Sequence, residues 1–481
     1  MAETLKEKTA KGLLWGGFSN GTQQLLNAVF GIFLARMLNQ SDYGMIGMLA
    51  IFSAIAACMQ EGGFISALNR KKEVTQRDYN AVFWASVLTS VCFYLIFWFS
   101  APLIARFYGI PELIPLARYS FLSFLFVSFS IAPRAYIFRN LMVRENSIIN
   151  MSAVFLSGMV GILMAANGFA YWGIATQNIV FTLTVSVLNF YYSGWRPSFH
   201  IDLSPIREIL GFSSKLIVTN IITAVNNNYF SVILGRFYTV TNVGDFSQAN
   251  KWNMMGSSFI SNTLNGIAQP VLTKVDDQIE RQKAVFRKLL RFTAFICFPL
   301  MLGLALVSEE FIVILLTEKW HESARLMQIL CIAGAVLPLS SLFSNLLISR
   351  GHSAIYMWCS VFLCLVQLLA VGLSSPYGIK LMIWMYVAVN ICWVGVWYFF
   401  ARQEIHLRIY ETVKDIAPYL LLSVVSLYVA WLAASSFDNL YLRLIIKVVV
   451  AAAVYCASLW ILRSTIFKEV ILFLTKKEIR S

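Results

Sequence analysis

LARMLNQSDYG at residues 34–44 and LGRFYTVTNVG at residues 234–244 are two versions of one stretch, set 200 positions apart. Leu34, Arg36 and Gly44 meet Leu234, Arg236 and Gly244, while Ser41 and Asp42 meet Thr241 and Asn242. The register continues upstream, where Asn20 and Asn27 meet Asn220 and Asn227. A second match, at a slightly longer shift, sets Ala117 and Arg118 against Ala324 and Arg325, each opening an apolar run. The chain therefore reads as a duplication. In both copies the matched stretch joins one long apolar segment to the next, so the repeated object is a set of helices.

Those apolar segments identify the solvent. Of 481 residues, 58% are hydrophobic and 13% charged, with mean hydropathy +0.69; an average soluble domain is about a quarter charged. Runs long enough to cross a bilayer, roughly 17–25 residues, are predicted near 12–38, 43–65, 79–99, 115–137, 147–166, 170–192, 210–237, 243–270, 289–308, 324–347, 354–373, 378–400, 416–434 and 442–462. The predicted fold is thus an all-α polytopic membrane protein of about fourteen transmembrane helices. It divides into a six-helix bundle over 1–200, a second over 201–403, and two additional helices with a tail over 404–481. Six is an even number, so the two bundles share one orientation, as a parallel repeat about an axis along the membrane normal.

Placing the N-terminus in the cytoplasm puts 28 of the 38 Lys and Arg residues in inner connectors and ends. Both termini are therefore expected to be cytoplasmic. The net charge of +14 lies in small groups between apolar runs, which suits anionic headgroups and argues against a nucleic-acid partner. Residues 1–11 lead into the first span without a small-residue cleavage site, so no removed signal peptide is expected. The eight cysteines fall inside apolar runs without CxxC or Cys/His spacing and read as core residues, with no metal site expected.

Polar side chains in membrane helices face other helices or a wet cavity, because lipid leaves them unsatisfied. Asn20, Gln23, Gln24 and Asn27 follow i, i+3, i+4, i+7 spacing and form one stripe on the first span. Asn220, Thr223 and Asn227 repeat it on the seventh, with Asn226 and Asn228 beside them. The eighth carries Ser247, Lys251, Ser258, Ser261, Asn262 and Asn265. Helix–helix adhesion and a cavity between the halves both account for amides and hydroxyls. Lys251 is harder to explain by adhesion, since it lies roughly 12 Å inside the predicted outer end of its helix, beyond easy snorkelling. Its counterpart in the first copy is Ile51. Lys251 is the candidate point charge for an anionic substrate group, with Lys215 near the inner end of the seventh span as a second. Arg36 and Arg236 at outer helix ends, Asp42, Asp245, and Glu61 before Gly62 and Gly63 are candidates for gating or for coupling to H+ or Na+.

The sequence contains no phosphate-cradling loop before GK[ST], nucleophile elbow, or acidic pair of a metal-dependent glycosyltransferase. Its four histidines, His200, His321, His352 and His406, are scattered over connectors. The longest outer connector, about 309–323, is short for a polysaccharide polymerase or ligase. A transporter without its own energy module fits better than an enzyme.

Several stretches, in order, carry a family resemblance: ALNRKKEVTQRDYNAVFW (67–84), APLIARFYGIPELIPLARYSFLSFL (101–125), APRAYIFRNLMVRENSI (132–148), YWGIATQNIV (171–180), WRPSF (195–199), LGFSSKLIVTN (210–220), FPLMLGLALVSEEFIVILLTEKWHESARLMQILCIAG (298–334) and ISRGHSAIYM (348–357). Together they resemble the polysaccharide-transporter branch of the multidrug/oligosaccharidyl-lipid/polysaccharide export superfamily. The resemblance implies two six-helix bundles around a central cavity in a bacterial cytoplasmic membrane. It also implies an undecaprenyl-diphosphate-linked oligosaccharide as substrate, moved by alternating access, with polysaccharide polymerase and glycosyltransferases as neighbours in the process. It assigns no individual cavity residue. A multidrug or small-metabolite exporter of the same superfamily is the alternative, and would favour an acidic, apolar cavity over a cationic one.

Overall fold

The computed structural model describes the chain apart from residues 1–4, 62–63, 66–67, 69–70, 72, 200–201, 203, 276, 470–471 and 473–481, and apart from the side chains of 5–18, 61, 207–219, 265 and 267. Its regular structure is helical. The helices are α1 (Leu5–Met37), α2 (Gln40–Glu61), α3 (Gln76–Tyr108), α4 (Leu113–Ser120), α5 (Leu122–Arg139), α6 (Val143–Ala166), α7 (Ala170–Ser193), α8 (Ser204–Phe237) and α9 (Val240–Thr273). They continue with α10 (Ile279–Leu306), α11 (Ser308–Leu316), α12 (His321–Ser349), α13 (Ser353–Ser374), α14 (Ile379–Ile405), α15 (Ile409–Ala434) and α16 (Leu440–Ile461).

Among the described residues, eleven helical segments are long and apolar enough to cross a membrane, one of them α4 and α5 taken together. The three long helices not among them are α1, α8 and α9, of 33, 34 and 34 residues. At 1.5 Å per residue each is about 50 Å long, ample for a hydrocarbon core of about 30 Å. The expected count of fourteen spans thus depends on the three helices that carry the polar stripes.

The helices are inverted relative to a soluble bundle. Large apolar side chains stand on the outside, as with Phe99 at 75%, Leu373 at 76% and Ile461 at 76% exposure. Small polar residues sit inside, where they let backbones approach and find carbonyl partners. Ser90 Oγ of α3 donates to Phe124 O of α5 at 2.7 Å, and Ser186 of α7 donates to Phe126 O. Four cysteines, Cys297, Cys331, Cys359 and Cys364, are buried as expected of core residues, whereas Cys92, Cys392 and Cys456 lie on exposed helix faces.

The chain forms two compact units, Met1–Gly244 and Asp245–Ser481. In the first, α6 and α7 form a hairpin, α1 lies on α6, α5 packs on α3 and α7, and α8 packs on α2 and α3. Gly109 stops α3 in the left-handed region at φ 73°, a conformation glycine adopts without strain. The connector after α7 is tied to the start of α3. Trp195 Nε1 donates to Gln76 Oε1 at 2.7 Å, Trp84 Nε1 to Ser198 O at 2.8 Å, and Ser198 N to Asn80 Oδ1 at 2.9 Å. Arg77 then pairs with Asp202. The Ser204 hydroxyl and amide, with Arg77, hold the half-buried Asp202 carboxyl at about 2, well below its ordinary 3.8.

In the second unit α12 packs on α10 and α14, α13 on α14, and the additional pair α15–α16 on α10. Charges fasten that pair at two places. Arg287 of α10 bonds Asp415 at 2.6 Å and Glu411 at 3.0 Å on α15, while Lys283 reaches Glu411 at 2.8 Å. Farther along, Glu310 of α11 is fully buried and receives Lys447 at 2.6 Å and Arg443 at 3.2 Å from α16. An apolar cleft of about 520 Å³ lies among α10, α15 and α16, bordered by Lys447, Tyr455 and Ser426.

Candidate functional site

The repeated stretch forms one geometric object. Asp42 caps α2, its Oδ2 accepting the Asn39 amide at 2.9 Å. Asn242 does the same for α9, its Oδ1 accepting from Thr239 Oγ1 at 2.7 Å and the Thr239 amide at 3.3 Å. These are matching capping boxes, which satisfy amide groups that a helix start leaves open. Asp42, a candidate gate carboxylate by sequence, therefore has a structural task. The two glycines cross reciprocally within the first unit: a methyl group at Gly44 would overlap Val240 O, and one at Gly244 would overlap Gln40 O. Since Gln40 and Val240 are themselves repeat partners, the crossing has the symmetry of the duplication.

The repeat arginines lie at this end. Arg236, in the last turn of α8, donates from Nη1 to Phe107 O at 2.6 Å and stands 5.4 Å from the Phe107 ring centroid. Arg36 is exposed in the last turn of α1. Asp245 lies just beyond the crossing, 5% exposed, and accepts from Ser323 Oγ of α12 at 2.8 Å.

The amide stripes are open along much of their length. Asn20, Gln24 and Asn27 of α1 and Asn220 and Asn227 of α8 are exposed, while Gln23 is half-buried and donates to Ser19 Oγ at 2.9 Å. Asn228, next to the stripe, turns back to Ala224 O at 2.8 Å. An amide exposed in mid-helix cannot be left facing hydrocarbon, so these faces require a wet surface.

Helix α9 carries two polar faces. At about 100° per residue, Ser247, Lys251, Ser258 and Asn262 share one side. All are exposed or half-buried. Lys251 Nζ stands 5.8 Å from the Trp252 ring centroid and meets no carboxylate among the described residues. The other side holds Asp245, Gln248, Trp252 and Asn253, all buried. The sequence reading overlooked Gln248 and Asn253 because it followed only the stripe containing Lys251. A full helical wheel of α9 separates the two faces. Two further candidates, Lys215 and Glu61, have side chains outside the described residues.

Comparison with known proteins is decisive at the level of family. The family described as polysaccharide biosynthesis protein matches residues 33–325. The chain belongs to that family. Among its relatives is the lipopolysaccharide biosynthesis protein WzxC of Escherichia coli K12, 25% identical over 365 residues, covering 75% of this chain and 73% of the relative. The succinoglycan biosynthesis transport protein ExoT of Rhizobium meliloti is 22% identical over 399 residues, covering 82% and 81%. The fold is shared with a solved structure of the lipid II flippase MurJ in an inward closed conformation. That match has a TM-score of 0.77 and 14% identity, and covers 95% of this chain and all of the other. The family matched here is thus the one carried by the sequence resemblance, on the same all-helical membrane fold.

Proposed function

We propose that the protein is a flippase, a transporter rather than an enzyme, moving a lipid-linked oligosaccharide across the bacterial cytoplasmic membrane for surface polysaccharide assembly. The observation that carries this reading is the set of amide faces exposed on α1 and α8 within an otherwise lipid-adapted bundle. A sugar presents many hydroxyls that neutral amides can hydrogen-bond in turn, whereas a hydrocarbon tail needs none and can stay in the bilayer. Lys251 supplies a cation, half-exposed and with no carboxylate partner among the described residues, for the diphosphate that joins sugar to undecaprenol. The names of WzxC and ExoT and the fold shared with MurJ support the same class of cargo.

Movement proceeds by alternating access, with the Gly44–Gly244 crossing as the contact that closes one end. The termini lie in the cytoplasm, as the distribution of Lys and Arg indicates. Polysaccharide polymerase and glycosyltransferases supply and consume the cargo.

The test is reconstitution into liposomes with a fluorescent undecaprenyl-diphosphate oligosaccharide, reading sugar exposure on the opposite leaflet. Wild-type protein is expected to move it well above protein-free vesicles, and Lys251→Ala to slow it about tenfold, the cost of one charged hydrogen bond, at unchanged abundance. Transport no faster than in empty vesicles refutes the reading, and a wild-type rate in the variant removes Lys251 from it.

A further inference from the structure

Helices α13 and α14 of the second unit leave a cleft of about 380 Å³ between them, walled by Ile355, Trp358, Phe362, Trp393 and Phe400. Trp358 and Phe362 are 56% and 53% exposed, so in a bilayer the cleft opens to hydrocarbon. From Ile355 to Phe362 it runs about 10 Å along α13 at 1.5 Å per residue. A partner helix, about 10–12 Å across with its side chains, is too thick for that space, whereas an acyl chain is not. One end of the cleft is charged. His352 immediately precedes α13, and Glu404 stands one turn beyond Phe400 on α14. Glu404 Oε1 lies 3.0 Å from His352 Nε2 and Glu404 Oε2 lies 3.7 Å from Arg350 Nε, while Arg350 Nη2 donates to Glu404 O at 2.8 Å. All three side chains keep some exposure, from 16% at Arg350 to 43% at His352. Arg402, two positions before Glu404, falls on the opposite side of α14 at about 100° per residue.

We propose that this cleft seats a phosphatidylethanolamine molecule, one acyl chain lying between α13 and α14 and the headgroup resting on Arg350, His352 and Glu404. Charge complementarity selects the occupant. The end of the cleft offers a guanidinium, an imidazole and a carboxylate, so a lipid that is only anionic would satisfy Arg350 and bring its phosphate against Glu404. A zwitterion serves both signs: its phosphate takes charge-assisted hydrogen bonds from Arg350 and His352, and its cation meets Glu404. Among zwitterions, the ethanolamine ammonium carries three N–H donors, as a lysine does, whereas the trimethylammonium of choline has none to give the carboxylate. Glu404 already ties the connector between α12 and α13 to the end of α14. A lipid seated there adds a further partner to that tie and braces α13 against α14, which makes membrane composition a determinant of this unit's stability. The site concerns a resident lipid and not the transported one, and it does not depend on the flippase reading.

The full-length protein is melted in nanodiscs of phosphatidylcholine alone, or of phosphatidylcholine mixed with an equal share of phosphatidylethanolamine or phosphatidylglycerol, and followed by intrinsic fluorescence. Phosphatidylethanolamine is expected to raise the melting temperature by on the order of 3 °C over the other two compositions. Glu404→Gln is expected to abolish that rise. Ala354→Trp, which fills the cleft from an exposed position on its wall, is expected to remove at least half of it, and Glu309→Gln, an exposed carboxylate on α11, to keep it. Should Glu404→Gln fail to fold, Ala354→Trp decides alone, because it leaves the three headgroup side chains in place. Equal melting of the wild type in all three compositions overturns the proposal, and so does a full rise in both site variants, which would assign the effect to the bulk bilayer. An equal or larger rise with phosphatidylglycerol also overturns it, in favour of an anionic lipid. Because the readout is stability and not sugar movement, its failure leaves the flippase reading standing, and absent sugar transport in liposomes leaves the lipid site standing.

Discussion

The first unit leaves neutral polar groups open along α1 and α8, whereas the second pairs its charges along α10, α11, α15 and α16. Both patterns put polar chemistry into an apolar bundle, and both look alike in a sequence. The difference lies in whether each group meets an opposite charge. Glu310 with Lys447 and Arg443, and Arg287 with Glu411 and Asp415, have partners and hold helices together. Asn20, Gln24, Asn27, Asn220 and Asn227 remain exposed to another molecule. Lys251 belongs to the second unit but behaves like the first, a cation that meets no carboxylate among the described residues.

Breaking a buried ion pair should have the largest effect. Glu310→Ala strands a buried Lys447 and is expected to cost about 3–5 kcal/mol, seen as loss of the protein from membranes. Replacing the pair together, Glu310→Leu with Lys447→Met, should recover most of that stability, since a buried pair gains little over apolar packing. If the double variant is as poorly folded as the single one, the pair does more than fasten α16.

Next in size is the glycine crossing. Gly44→Ala or Gly244→Ala should oppose closure by about 1–3 kcal/mol. In a cysteine-free background, labelling of a cysteine at position 40 by an impermeant maleimide should rise about tenfold, while the melting temperature changes little. Unchanged labelling would show that the crossing is only packing.

The open stripe should respond in a graded way. Asn220→Ala and Asn227→Ala together are expected to slow sugar movement several-fold, each hydrogen bond contributing about 0.5–1.5 kcal/mol, without altering stability. A fall in stability equal to the loss of transport would place these amides with the paired charges that hold helices together. Smallest of all is Asp202→Asn in the exposed connector, where solvent screens the pair with Arg77. The folded carboxyl titrates at about 2, below the ordinary 3.8. Its contribution is therefore complete above that ordinary value and is lost only as pH falls through about 2. Melting temperatures between pH 5 and 8 should show no step from this group, and a step there would mean that the connector pairs differently.

Local signals were legible in the sequence, and distant partners were not. The helices follow from apolar run lengths, and the duplication from Gly44 and Gly244. The capping role of Asp42 was also within reach, because Asn39 and Asp42 have capping-box spacing, yet a carboxylate near a helix end attracts a gating explanation first. Asp245 and Ser323 are 78 positions apart, and Glu310 and Lys447 are 137 apart. No periodicity within one helix reports such pairs. The division into units at Gly244 depends on packing that run lengths do not encode.

The reciprocal glycines also bear on how such a chain can be recombined. Each copy of the repeat supplies the space into which the other copy's helix start fits, so neither half is a self-sufficient cassette at that point. A chimera joining one relative's first half to another's second should assemble only where both partners bring a glycine to the crossing. A side chain at position 44 would thus meet backbone at position 240, and one at position 244 would meet backbone at position 40.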